Sequence, residues 1–186
     1  MLKQVQRISE RRRQAGQGGF TLFELLITLI VMAVVLAIAV PNLSTFVNSS
    51  RLRASQSEFV SALTLARSEA IKRGGQVVVV ALGAVAGSEF LGGWRVFVDA
   101  NEDGLFDAGE AIVRDYAPLT GAMRFNALVG ATTTVATSAA FNGRGFLVPA
   151  TTLNVKICGP VGNTKSYSIR LEPVGIADVV EGDSCT

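Results

Sequence analysis

The stretch FTLFELLITLIVMAVVLAIAV, Phe20 to Val40, is 21 residues long and carries one charge, Glu24. As α-helix it extends roughly 31 Å, about the thickness of the hydrocarbon core of a bilayer. A helix that is apolar on every side needs either lipid or a large apolar surround. No later part of the chain is apolar enough to provide that surround. Before the run lie Lys3, Arg7, Arg11, Arg12 and Arg13 against the single acid Glu10; after it come Pro41, Asn42, Ser44 and Thr45. The positive-inside rule therefore places residues 1–19 in the cytoplasm and everything after Val40 across the membrane.

The rest of the composition narrows the class. The chain has 186 residues, 49% hydrophobic and 17% charged, with a mean hydropathy of +0.40. That length suits one domain with a real core, and so few charges exclude intrinsic disorder. The whole-chain net charge of +2 is concentrated at the start: the first nineteen residues hold +4 and the remainder −2. A basic nucleic-acid-binding body is not what the remainder resembles. There is no histidine, which removes His-based triads, HExxH helices and the commonest zinc ligand together. GxSxG, GxxxxGK[ST] and GxGxxG motifs are also missing from the sequence, so no catalytic residue, cofactor or resident metal is assigned.

Glu24 is the residue that an apolar run does not explain. A carboxylate costs about 2.5–3.5 kcal/mol at the centre of a membrane helix, and less near the interface where this one falls. The order Gly18-Gly19-Phe20-Thr21-Leu22-Phe23-Glu24-Leu25, behind a basic leader and ahead of a long apolar run, resembles the class III signal of type IV pilins and pseudopilins. The resemblance implies cleavage between Gly19 and Phe20 by prepilin peptidase and N-methylation of the new Phe20 amine. It implies that Glu24 pairs with the N-terminal amine of a neighbouring subunit, an attraction strengthened where both groups are poorly solvated. It also matches Pro41 to the family's helix-kinking proline, which deletes a backbone hydrogen bond. The rival is an ordinary secretory signal cut after Ala37-Ile38-Ala39; against it, the apolar run exceeds a 7–15-residue core and six uncharged residues part it from the arginines.

Beyond Pro41 the pattern turns amphipathic. Leu52, Phe59, Leu63, Ala66 and Ala70 recur at helical steps, and Arg73-Gly74-Gly75 closes the helix. One helix is expected from about Phe20 to Arg73. Short strands are expected at Val77–Leu82, Trp94–Asp99, Ala111–Tyr116, Met123–Leu128, Val135–Phe141, Leu153–Cys158, Tyr167–Leu171 and Val174–Val180, rich in Val, Ile, Phe and Thr. Trp94 reads as core. The segments ARSEAIKRG (66–74), GGWRVFVDANEDGLFDAGEAIVRDY (92–116) and FNGRGFLVPATTLNVKIC (141–158) resemble the GspH/FimT-type subset of minor pilins and pseudopilins. The fold class this implies is α+β and pilin-like: a leader at 1–19, a transmembrane helix at 20–40, its amphipathic continuation at 41–73, and a β-rich periplasmic head at 74–186.

Three further features need a reading. Asp99, Asn101, Asp103, Gly104, Asp107 and Glu110 fit the spacing of a twelve-residue calcium loop. The flanks are strand-like, so the expectation is a hairpin tip with ordinary Asp, Asn and Gly turn chemistry. Cys158 and Cys185 are the only cysteines. In an exported head the default is one disulfide between them, closing a loop of about 26 residues and stabilising by roughly 3–4 kcal/mol in the loop-entropy model; related minor pilins resemble it in this. DNA-capturing members imply a Gly-Arg-x-Arg motif near the C-terminus, where this chain has Val174-Gly175-Ile176-Ala177-Asp178. Arg144, Lys156, Lys165 and Arg170 remain as scattered cations, more often a solvated face than a DNA site.

The function expected is that of a minor pilin that primes or joins type IV pilus assembly, held in the inner membrane by its N-terminal helix before entering the filament. Its expected partners are prepilin peptidase, other major and minor pilins or pseudopilins, the inner-membrane assembly platform and membrane lipid. The alternatives are a minor pseudopilin of a type II secretion system and a DNA-binding minor pilin of natural transformation.

Overall fold

The computed structural model describes residues 19–83, 88–120, 123–131, 134–159 and 165–182, with positions 41 and 42 described by backbone alone. The chain divides into two compact units, Met1–Pro41 and Asn42–Thr186, and α1 (Leu22–Arg73) contributes to both. In the first unit every described side chain from Leu22 to Val40 is exposed. The helix is long and apolar enough to cross a membrane. It begins at Leu22 rather than at Phe20, because Thr21 stays outside it as a cap.

In the second unit one stripe of α1 turns inward. Leu52, Ser55, Phe59, Ala62, Leu63, Ala66 and Ala70 are all buried, at the three- and four-residue steps of a single helix face. Three alanines on that stripe let the sheets approach the helix backbone closely. The helix ends where the Gly74 amide donates to the Ala70 carbonyl at 2.9 Å. Arg73 and Lys72 hold Glu69 there, at 2.7 and 3.4 Å, cations in the last turn where the helix dipole favours them.

Nine strands follow: β1 (Gln76–Ala81), β2 (Trp94–Asp99), β3 (Ile112–Tyr116), β4 (Arg124–Val129), β5 (Ser138–Phe141), β6 (Leu147–Val148), β7 (Leu153–Cys158), β8 (Ser166–Leu171) and β9 (Ala177–Gly182). They form two antiparallel sheets, ordered β3-β2-β1-β5-β6 and β4-β7-β8-β9. The second sheet shows the alternation of a sheet with one buried face. Phe125 and Ala127 of β4, Leu153, Val155 and Ile157 of β7, and Tyr167, Ile169 and Leu171 of β8 point inward. In β1 the run Val77, Val78, Val79 is buried on both faces. Val77 and Val79 join the main core, while Val78 packs with Phe97 and Ala140 on the far side.

Four expected strands differ from the observed ones by single residues at their ends, two start three residues late, and one strand is new. β6 is a two-residue strand that its sequence does not announce. β5 starts at Ser138, because Val135 makes only an isolated bridge to Leu128. β9 starts at Ala177 rather than Val174. The Gly175 amide donates to the Glu172 carbonyl at 2.8 Å and the Glu172 amide to that of Ile176 at 2.9 Å. That tight turn puts Gly175 at φ 78°, a conformation glycine adopts without steric cost. Val174 and Ile176 are apolar but lie exposed on the turn.

The core converges on Phe59. Its ring meets Phe90 at 5.1 Å, Trp94 of β2 at 5.3 Å and Phe125 of β4 at 4.8 Å, all edge-on, the geometry the aromatic quadrupole favours. One helix side chain thus touches a strand from each sheet. Replacing it (Phe59→Ala) is expected to lower the unfolding free energy by about 3–5 kcal/mol, read by denaturant titration of the chain in detergent. Phe46→Ala, at a position 70% exposed on the same helix, is expected to change it by no more than about 0.5 kcal/mol.

Candidate functional site

Gly19 and Phe20 precede the helix and are exposed. A side chain built on Gly19 would meet nothing within 4 Å, so the fold itself does not require glycine there. Thr21 caps α1: its Oγ1 accepts the Glu24 amide at 3.2 Å. Thr21-Leu22-Phe23-Glu24 is the spacing of a capping box, a signal the motif reading passed over. Glu24 therefore sits in the first turn, where an acid complements the helix dipole. Its side chain is exposed among exposed apolar neighbours. Pro41 closes the first unit.

On the head, the loop between β2 and β3 is a hairpin connection, as its flanks suggest. The Asn101 amide nitrogen donates to Asp103 at 2.9 Å and to Asp107 at 3.0 Å. Glu110 accepts the Ala100 and Asp107 amides. Phe106 folds back onto Phe97 at 5.3 Å between ring centres, with the Arg95 guanidinium 4.4 Å above it. Arg95 in turn grips Asp115 across the strands at 2.7 and 3.0 Å, which holds the Asp115 carboxyl below the usual carboxylate range.

Cys158 ends β7 in a buried position, and Cys185 lies outside the described residues. Lys165 lies 2.6 Å from Glu181 and Arg170 2.7 Å from Glu172; exposed Lys156 sits diagonally across the β7–β8 register from Arg170, and Arg144 is exposed on the turn between β5 and β6. Arg53 of α1 donates to the Tyr167 hydroxyl at 3.0 Å and approaches Glu181 at 4.0 Å. This cluster ties the helix to the β8–β9 edge, and separate sequence segments gave no sign that they would meet there.

A long N-terminal helix whose later part is laid against antiparallel sheets is the pilin fold. Among solved structures the chain resembles the type IV minor pilin FimU of Pseudomonas aeruginosa, at 19% identity over 76% of this chain and 99% of that one, with a TM-score of 0.59. It also resembles the minor pseudopilin EpsH of the Vibrio cholerae type 2 secretion system, at 12% identity over 70% and 96% of the two chains, with a TM-score of 0.52. Residues 13–40 match the prokaryotic N-terminal methylation motif. Residues 55–175 match the model of the type II transport protein GspH. The chain belongs to the GspH family of minor pilins and pseudopilins. No curated protein matches it in sequence.

The Arg53–Glu181–Lys165 cluster has a pH signature. Lys165 first, then Arg53 and Tyr167, hold the Glu181 carboxyl below its ordinary value. A carboxyl lowered on folding stabilises above its unfolded pKa, near 4.3, and that contribution fades as pH falls through the lower folded value. In a carboxyl NMR titration Glu181 is expected to titrate below the ordinary glutamate value, and Lys165→Met to return it towards that value.

Proposed function

We propose that this chain is a minor pilin that primes or joins type IV pilus assembly, anchored by α1 in the inner membrane with its head in the periplasm. The observation that carries the reading is Gly19-Phe20 and Glu24 at the open end of a helix whose apolar side chains from Leu22 to Val40 are all exposed. Prepilin peptidase cuts between Gly19 and Phe20, and the Phe20 amine is methylated. The exposure of both residues, and the open space around Gly19, suit a peptidase cleft. Released, the Phe20 ammonium becomes the partner for Glu24 of an adjacent subunit. A carboxylate alone in hydrocarbon costs up to about 2.5–3.5 kcal/mol, and a facing ammonium offsets that cost only when register is correct. Residues 20–40 form the membrane and filament segment, and at the end of that segment Pro41 deletes one backbone hydrogen bond of the helix.

The remaining partners follow from the same steps: other major and minor pilins, the assembly platform and membrane lipid. Cys158 and Cys185, the chain's only cysteines, form one disulfide in the oxidising periplasm and pin the C-terminal tail to β7. The likeness to FimU, which covers nearly all of that chain, supports a pilus. The family's name and the likeness to EpsH support the second reading, a minor pseudopilin of a type II secretion system. DNA capture has weaker support: the Val174–Ile176 turn is exposed and apolar, and Lys165 and Arg170 already face acids.

Mass spectrometry of the mature chain tests the processing step. The expected N-terminus is methylated Phe20, and an N-terminus at Val40 would make the segment an ordinary signal peptide. Glu24→Ala is expected to be cut and membrane-inserted normally. Its recovery in sheared filaments is expected to fall roughly tenfold or more, equivalent to about 1.4 kcal/mol of lost pairing; normal recovery would remove Glu24 from assembly.

A further inference from the structure

We infer that the loop from Asp99 to Glu110 is a calcium site on the head. Its side-chain oxygens fall at positions one, three, five, nine and twelve of a twelve-residue loop, in Asp99, Asn101, Asp103, Asp107 and Glu110. Gly104 takes the sixth position at φ 78°, the sharp turn that such loops need there. The seventh position, Leu105, offers its carbonyl. Spacing and acidity alone describe many hairpin turns.

What separates this loop from a turn is the state of Asp99. The residue is 2% exposed. Its Oδ2 accepts from Gln76 Nε2 and from the Gly104 amide, both at 2.8 Å. The second of these bonds sets the carboxylate against the inside of the loop. Its Oδ1 is buried with no hydrogen-bond partner among the described residues. A buried carboxylate oxygen without a donor carries an uncompensated desolvation cost. A cation on the loop side of Asp99 removes that cost.

The surrounding groups agree. Asp99, Glu102, Asp103, Asp107 and Glu110 form no salt bridge among the described residues. The Asn101 amide nitrogen lies between Asp103 and Asp107, bonded to both, and so takes the place a cation would occupy. Turning that amide over presents its oxygen instead. All donors are hard oxygens, with no nitrogen or sulfur ligand in the loop, which selects calcium over zinc or copper. An irregular, flexible oxygen set also suits calcium better than magnesium, which demands a near-ideal octahedron.

Among the described residues no three acidic side chains yet converge on one point. Binding therefore includes closure of the loop and reorientation of Asn101, and that places the affinity near the weak end for such loops, a dissociation constant of about 0.1–1 mM. Phe106 on Phe97 fixes the loop to the outer face of the first sheet while it closes. The flanks are β2 and β3 rather than helices, so calcium rigidifies this hairpin and opens no helix pair. The inference stands on the head alone and does not depend on the assembly reading.

Thermal unfolding of the full chain in detergent micelles tests it, first in EDTA and then in about 10 mM calcium chloride or magnesium chloride. Calcium is expected to raise the melting temperature by about 3–5 °C, the shift expected at roughly tenfold or more above the dissociation constant. Asp103→Asn and Glu110→Gln, at an exposed and a half-exposed position, are expected to keep the far-UV spectrum and lose the shift. No rise in the parent chain, or a rise of equal size in both variants, overturns the site. An equal rise with magnesium overturns its assignment to calcium.

Discussion

The apolar surface of α1 between Leu22 and Val40 must be covered by something other than this chain. Fourteen large apolar side chains there are exposed. Moving each from water to an apolar medium contributes about 1.5–3 kcal/mol, so the run as a whole is worth tens of kcal/mol. The folding free energy of a domain is about 5–15 kcal/mol. Contact with lipid or with other subunits therefore outweighs the net folding free energy of the head. A helix of this kind can pass from bilayer to filament because both offer apolar surroundings, and the head has only to remain folded during the transfer.

The head meets that requirement through a second use of the same helix. From Leu52 onward only one stripe is apolar, and its central residue, Phe59, touches Trp94 of the first sheet and Phe125 of the second. The two sheets are thus joined through the helix as well as directly, where Trp94 meets Phe125 at 5.9 Å between ring centres. Polar ties at the edge of this packing, Arg53 with Tyr167 and Lys165 with Glu181, orient the β8–β9 edge at little energetic gain, as exposed pairs do.

Length and periodicity made the helix legible from sequence. Twenty-one apolar residues have few other uses, and a three-and-four stripe ending at Arg73-Gly74 marks one helix face. Strands were legible where β-branched runs are flanked by turn residues, as in Trp94–Asp99 and, within one residue at each end, Gln76–Ala81. Apolarity misled at Val174 and Ile176, because Gly175 makes a turn of a stretch that reads as strand. The Thr21 cap was legible in principle, since Thr-x-x-Glu precedes an apolar run. The state of Asp99 was not legible. It depends on Gln76 lying directly opposite in the β1–β2 register, and on which oxygen is left without a donor once the loop has folded.

The assembly account is tested most directly in a strain lacking this gene, by counting surface pili and assaying secreted proteins side by side. The account predicts that pili are lost, secretion is intact, and the wild-type gene restores piliation. Intact pili alongside failed secretion would contradict it and make the chain a pseudopilin.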